Sequence, residues 1–172
     1  MPLIRVDAGG APVAAEEQFI DLADDATLPQ AGGAIVSLAR FQAERERLLA
    51  RNAPLGVRLK ASESPEALGD DVHRLSLVAI EFPVFRDGRG FSWARLLRTR
   101  MGYKGEVRAV GHYLYDQLAY QHRVGFDAWD VPPSLGVAQF ARAFGEITNV
   151  YQPSADGRRT IRELRGPRNS GG

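Results

Sequence analysis

Leu75-Ser-Leu-Val-Ala-Ile-Glu-Phe-Pro-Val-Phe-Arg-Asp-Gly-Arg-Gly-Phe-Ser-Trp-Ala-Arg-Leu-Leu-Arg98 is the stretch from which the fold is read. Its first six residues are nearly all apolar, as in a strand covered on both faces, and its last seven carry apolar residues at helical spacing. Between them lies a charged glycine loop. The same strand-then-helix unit recurs along the chain. Strand-like runs fall at 34–38, 55–59, 75–80, 106–110 and 128–131, with helices expected at 41–51, 65–74, 92–101, 113–124 and 134–147. Ser64 before Pro65 predicts an N-cap, Gly125 predicts a stop, and Val137, Phe140, Ala141 and Phe144 form the clearest apolar stripe.

Regular alternation of strand and helix predicts parallel pairing through right-handed crossovers. The expected fold is α/β, an open, mostly parallel, doubly wound sheet of five or six strands. A truncated TIM-barrel-like βα repeat is the alternative. Ahead of it, Leu3-Ile-Arg-Val and Ala11 to Ala14 flank the turn Asp7 to Gly10, which predicts a β-hairpin. Residues 1–33 are thus read as hairpin and acidic connector, 34–152 as the α/β domain and 153–172 as a mobile tail, with Asn149-Val-Tyr151 as a possible last edge strand.

Composition excludes several kinds of chemistry. The 172 residues include no cysteine, so there is no disulfide, thiolate nucleophile, redox Cys pair or cysteine metal site. The formal net charge of +1 gives no global field for nucleic acid or an acidic membrane. No run is long enough to span a bilayer and no leader is legible, so a cytoplasmic location is expected. The three histidines show no metal-ligand spacing, and Gly88-Arg-Gly90 lacks the third glycine of a dinucleotide fingerprint. No cofactor and no metal are expected.

The polar residues just beyond the strands, Arg40, Lys60, Glu81, His112 and Asp130, mark where ligands bind in an open parallel sheet. The loop after the third strand is the most elaborate. Asp87-Gly88-Arg89-Gly90 gives backbone freedom, Ser92 is the expected helix cap, and free backbone N–H groups there, with Arg89 and Arg95 near, would make an anion pocket. Residues 86–108 hold seven basic groups against two acidic ones, which supports that reading. A plain turn, with Arg95, Arg98 and Arg100 on a solvated helix face, also accounts for the loop. Arg108, inside a strand, needs a partner such as Asp116, Glu81 or Asp87; a structural ion pair and a ligand-facing role both stay open. Asp116 and Gln117 could reach over the strand ends.

Four ordered segments, Phe82 to Arg98, Tyr103 to Gly111, Asp116 to Leu118 and Arg123 to Asp127, resemble the bacterial domain-of-unknown-function family 934. Proteins of that family are described as oxidoreductases, with genes beside those of assimilatory sulfite or nitrite reductase. The resemblance implies a role in sulfite reduction and cysteine supply. It carries no established catalytic residues, and the family pattern has an acidic or amide residue where this chain has His112. The binding residues expected from the matching positions are Asp87, Arg89, Ser92, Arg95, Arg108, Asp116 and Gln117. A chain without thiols or a nucleotide motif has no evident electron carrier. The leading expectation is therefore an accessory protein of sulfite reduction that binds a small anion (sulfite, sulfate or phosphate) or docks on sulfite reductase. The competing expectation is a stand-alone enzyme using Arg89, Arg108 and Asp116 on an anionic substrate.

Overall fold

The computed structural model describes residues 3–132 and 135–146. The strands are β1 (Leu3–Val6), β2 (Pro12–Ala15), β3 (Phe19–Asp21), β4 (Gly33–Ser37), β5 (Leu55–Leu59), β6 (Leu77–Phe82), β7 (Glu106–Gly111) and β8 (Ala128–Asp130). The helices are α1 (Leu38–Ala43), α2 (Arg45–Leu49), α3 (Arg89–Thr99), α4 (Leu118–Val124) and α5 (Val137–Glu146), with 3-10 segments at Pro65–Arg74 and Tyr115–Gln117.

All eight strands join one mixed sheet in the order β2-β1-β8-β7-β6-β5-β4-β3. From β3 to β8 each strand pairs in parallel with the next in sequence, whereas β1 pairs antiparallel with both β2 and β8. Two expectations are corrected here. The sheet is mixed and larger than expected because the hairpin and Phe19–Asp21 are strands of it. It is also not doubly wound. A doubly wound sheet reverses strand order once, while here every parallel crossover advances in the same direction and the helices stay on one face. The strand order matches the barrel-like alternative.

The sheet is open but strongly curled. Eight strands laid flat would hold the two edge strands about 34 Å apart. Yet β2 and β3, the two edges, are joined by residues 16–18 alone, and four Cα steps reach only about 14 Å. A side-chain contact supports the curl: the Arg108 guanidinium on β7 lies 5.9 Å from the Phe19 ring on β3, four strands away in the ladder.

The main core fills the space between the convex face and the helices. Val36, Val57, Val78, Ile80, Phe82, Val107, Ala109 and Trp129 point that way, because side chains alternate across a strand. α3 buries Gly90, Ala94 and Leu97 there. A Cβ on Gly90 would lie 2.7 Å from the Phe82 ring, so glycine permits the close helix–sheet approach. α5 covers Trp129 with Phe140 and Phe144 at ring separations of 5.3 and 5.7 Å. Its third buried residue is Ala143, not Ala141.

Several local expectations hold. The Ser64 hydroxyl accepts from Glu66 N–H ahead of Pro65, and Gly125 ends α4 with φ of 121°. The segment that Ser64 caps is 3-10 in type, broken at Gly69, whose φ of 56° no α-helix accommodates. The helix expected at 41–51 is two short helices, with the break at Glu44. Residues 147–172, including the expected edge strand and tail, lie outside the described residues.

Candidate functional site

Beyond the carboxyl end of β6, Asp87 closes on its own neighbour. Its carboxylate accepts from Arg89 Nε at 2.9 Å, from a terminal Arg89 nitrogen at 2.6 Å and from Arg89 N–H at 3.2 Å. The hydrogen bond from Arg89, above all, holds the Asp87 carboxyl below its usual range. The start of α3 therefore already has an anion, supplied by the protein. Gly88 occupies the cap position and Arg89 the first turn. Ser92, expected as the cap, stands instead exposed inside the helix, because α3 begins three residues earlier.

The basic cluster of 86–108 does not form one surface. Arg89 is spent on Asp87, Arg100 lies 3.8 Å from Glu66, and Arg98 is drawn inward. Arg98 donates to the carbonyls of Gly125 (3.0 Å), Tyr103 (2.9 Å) and Gly105 (2.7 Å) and to the Asp127 carboxylate (2.6 Å). It fastens α3 to the loops that lead into β7 and β8 rather than facing solvent. Of the seven, Arg86, Arg95 and Lys104 have no carboxylate partner among the described residues.

Arg108 lies on the concave face with 1% of its side chain exposed. Its partners are not Asp116, Glu81 or Asp87. Glu17 accepts at 2.5 Å, Glu106 at 2.7 Å, and Asp130 lies at 3.6 Å; Arg5 shares Glu106 at 2.7 Å. Glu17 belongs to the three-residue connector, and no strand or helix pattern singles it out. Burial disfavours the Glu17 carboxylate, but hydrogen bonds from Arg108 and from Phe19 N–H outweigh that and hold its pKa below the ordinary value. A carboxyl depressed in the folded state stabilises above its unfolded pKa, about 4.3, and loses that contribution as pH falls through the folded value. Denaturant unfolding should accordingly find Glu17→Gln less stable than the wild type by a constant margin from pH 6 to 8, a margin that closes below about pH 4.

Asp116 is exposed and makes no hydrogen bond or ion pair among the described residues. Gln117 does reach over the strand ends: its Nε2 donates to Phe85 O at 2.8 Å and its Oε1 accepts from Leu114 N–H at 3.0 Å. That bridge unites the loops after β6 and β7. Around it sit Val84 (54% exposed), Phe85 (42%), Leu114 (44%) and Tyr120 (44%), four of the six large apolar side chains that face solvent among the described residues. Tyr120 continues inward through Phe91 (5.2 Å) to buried Phe82 (5.4 Å), and Arg86 lies over Phe85 at 5.3 Å. Of the seven expected site residues, Asp87, Arg89 and Gln117 lie at this end of the sheet, Ser92 and Arg95 stand exposed along α3, Asp116 is exposed beside Gln117, and Arg108 is sealed on the other face.

The chain matches, over residues 56–162, the family described as bacterial protein of unknown function (DUF934). It belongs to that family. No curated protein and no solved structure matches the chain. The family match spans β5 to β8 and the whole Phe82–Tyr120 end, and leaves the Glu17 connector outside it.

Other expected positions take no part in this apolar cluster. Arg40 is buried and donates to Glu44 at 3.0 Å and to Ala23 O at 2.8 Å, while Lys60 and His112 are exposed. An open groove of about 560 Å³ along Gln42–Arg47 is lined by the end of α1, the break at Glu44 and the start of α2, and its Arg47 is matched to Glu44 at 3.0 Å. Among the described residues no group of three His, Asp or Glu is arranged to hold a metal ion, and no helix is long and apolar enough to cross a membrane.

Proposed function

We propose that this protein is an accessory factor of assimilatory sulfite reduction that docks on the reductase through the Val84–Arg86, Leu114 and Tyr120 end of its sheet. The pathway comes from the family resemblance; the choice of docking over oxyanion capture comes from the site. The observation that carries it is the gathering of exposed apolar side chains at one end, on loops tied together by Gln117. Clustered aromatic and aliphatic groups with arginine at the margin have the composition of a protein contact, with Phe85 and Tyr120 as anchors. Arg86 and the exposed Arg95 favour an acidic rim on the partner. An oxyanion at α3 is disfavoured because it would have to displace Asp87 from Arg89. The stand-alone enzyme reading loses its basis in Arg89, Arg108 and Asp116, since Arg108 is sealed among carboxylates on the opposite face.

The test is capture of purified sulfite reductase by the immobilised protein. Wild type should retain it, and Phe85→Asp combined with Leu114→Asp should lower affinity at least ~100-fold, the scale of losing hot-spot anchors. Both positions are exposed, so the variant should keep its melting temperature. If the wild type retains no reductase at any salt concentration, docking is wrong. A sulfite-dependent rise in melting temperature, lost in Arg89→Ala, would return the oxyanion reading.

A further inference from the structure

The ladder between β6 and β7 stops short of the exposed apolar end. Its last pair is Phe82 with Gly111, and the last backbone bond between the two segments runs from His112 N–H to Phe82 O at 2.7 Å. Beyond that point the backbone of each loop bonds to itself, Asp87 N–H to Val84 O and Gln117 N–H to Leu114 O, both at 3.0 Å. Val84, Phe85 and Leu114 thus stand exposed on backbone that no ladder fixes.

One side chain closes the gap. Gln117 Nε2 donates to Phe85 O at 2.8 Å, the only hydrogen bond among the described residues that joins 83–88 to 113–117. The Oε1 of the same amide accepts from Leu114 N–H at 3.0 Å, so its donor meets a carbonyl, its acceptor meets an N–H, and it is held in one orientation. Gln117 is itself carried by a fixed element, because Leu118 and Ala119, the first residues of α4, are buried. Tyr120 lies three residues on, the spacing of neighbours on a helix surface.

Loose loops would weaken docking even with every contact group present. Only the fraction of molecules with both loops in place could bind, and apparent affinity and association rate would fall by that fraction, while dissociation would still be set by contacts within the complex. We infer that Gln117 is the positioning residue of the docking end, presetting Phe85 against Leu114 before the partner arrives and acting through those two residues rather than by touching the partner. This rests on the docking reading and adds the means by which that surface is kept ready.

Hydrogen exchange of the free protein, followed amide by amide, and association kinetics with purified sulfite reductase test it together. Gln117→Met keeps the length of the side chain and loses both bonds. The Leu114 amide should then exchange at least ~10-fold faster, while the His112 amide, bonded to Phe82 O, keeps its protection and melting temperature checks the fold. The association rate should fall ~10-fold with dissociation changed less than about twofold, the reverse of the pattern expected when contact residues are removed. Gln117→Glu separates the two bonds, since a carboxylate still accepts from Leu114 N–H but has nothing to donate to Phe85 O; Leu114 should stay protected and association should still slow. Unchanged Leu114 exchange in Gln117→Met overturns the inference, as does wild-type association in either variant. A loss confined to the dissociation rate overturns it too, by making Gln117 a contact residue. If the wild type binds no reductase, the docking reading fails and this inference falls with it, whereas equal binding by wild type and Gln117→Met removes this inference alone.

Discussion

Arg108→Met should destabilise the protein by about 3 kcal/mol, because methionine keeps most of the packing while Glu17 and Asp130 lose their cation and Glu106 is left with Arg5 alone. Breaking a buried ion pair from one side costs roughly 3–5 kcal/mol, and the lower figure applies since Glu17 keeps 37% of its side chain in water. The loss should come from stranded charge, not from missing contacts. Adding Glu17→Gln and Glu106→Gln to Arg108→Met should thus recover most of it, and chemical denaturation of the single and triple variants decides the point. Acid should also help the single variant. With the cation gone the facing carboxylates repel one another, the folded state takes up protons more readily, and the deficit shrinks as pH falls from 7 to 5. A deficit that stays constant with pH and is untouched by the two Gln changes would mean that Arg108 acts through packing alone.

Arg98→Ala should be comparably damaging, at about 3 kcal/mol or more, since three carbonyls and a carboxylate lose their donor together. Arg98→Lys should recover little. The guanidinium is a planar fork of five N–H groups that meets four acceptors at once, and an ammonium on a flexible stem cannot. Asp127 supplies the pH dependence. Burial pushes its carboxyl up to about 6, against the pull of Arg98 and the Val107 N–H. A carboxyl raised in the folded state takes up its proton there first, so stability from this group grows as pH falls from above 6 toward the unfolded value near 4. Without Arg98 that rise is larger, and the gap between Arg98→Ala and wild type should be narrower at pH 5 than at pH 8 in denaturant melts. An equal gap at both values would dismiss the Asp127 account.

These two arginines also explain what the sequence reveals and what it conceals. Strand positions are legible because β4 to β8 are apolar runs bounded by turn residues, and the observed limits fall within two residues of the expected ones. β3 is not, because Phe19-Ile-Asp21 is three residues long and straddles the end of the expected hairpin and the start of the acidic connector. Strand order is hidden for a different reason: alternating strand and helix fixes parallel pairing but not whether each crossover advances or turns back. At the site, arginine within a strand can be recognised as in need of a partner, yet the partner of Arg108 lies 91 residues away. Arg98 reads as a solvated helix position because its acceptors are carbonyls of Tyr103, Gly105 and Gly125, which carry no trace in side-chain pattern.

The segments that carry the family resemblance acquire a physical meaning from this geometry. Arg98, Tyr103, Gly105, Gly125 and Asp127 meet in one hydrogen-bonded cluster, and a Cβ on Gly125 would lie 2.4 Å from the Arg98 stem. Gly111 likewise could not carry a side chain, since its φ is 96° and a Cβ would stand 2.5 Å from Phe82 O. Much of that motif set holds the fold, while Phe85 and Gln117 shape its exposed end.

The pairing of β1 with β8 has a consequence for biogenesis. Leu3 leaves the ribosome well before its ladder partner Asp130, which is made 127 residues later. At about 5–20 residues per second the hairpin waits roughly 6–25 s for the strand it must join. Throughout that interval β3 to β7 can zip together one after another as they emerge, while the earliest-made strand is kept for last.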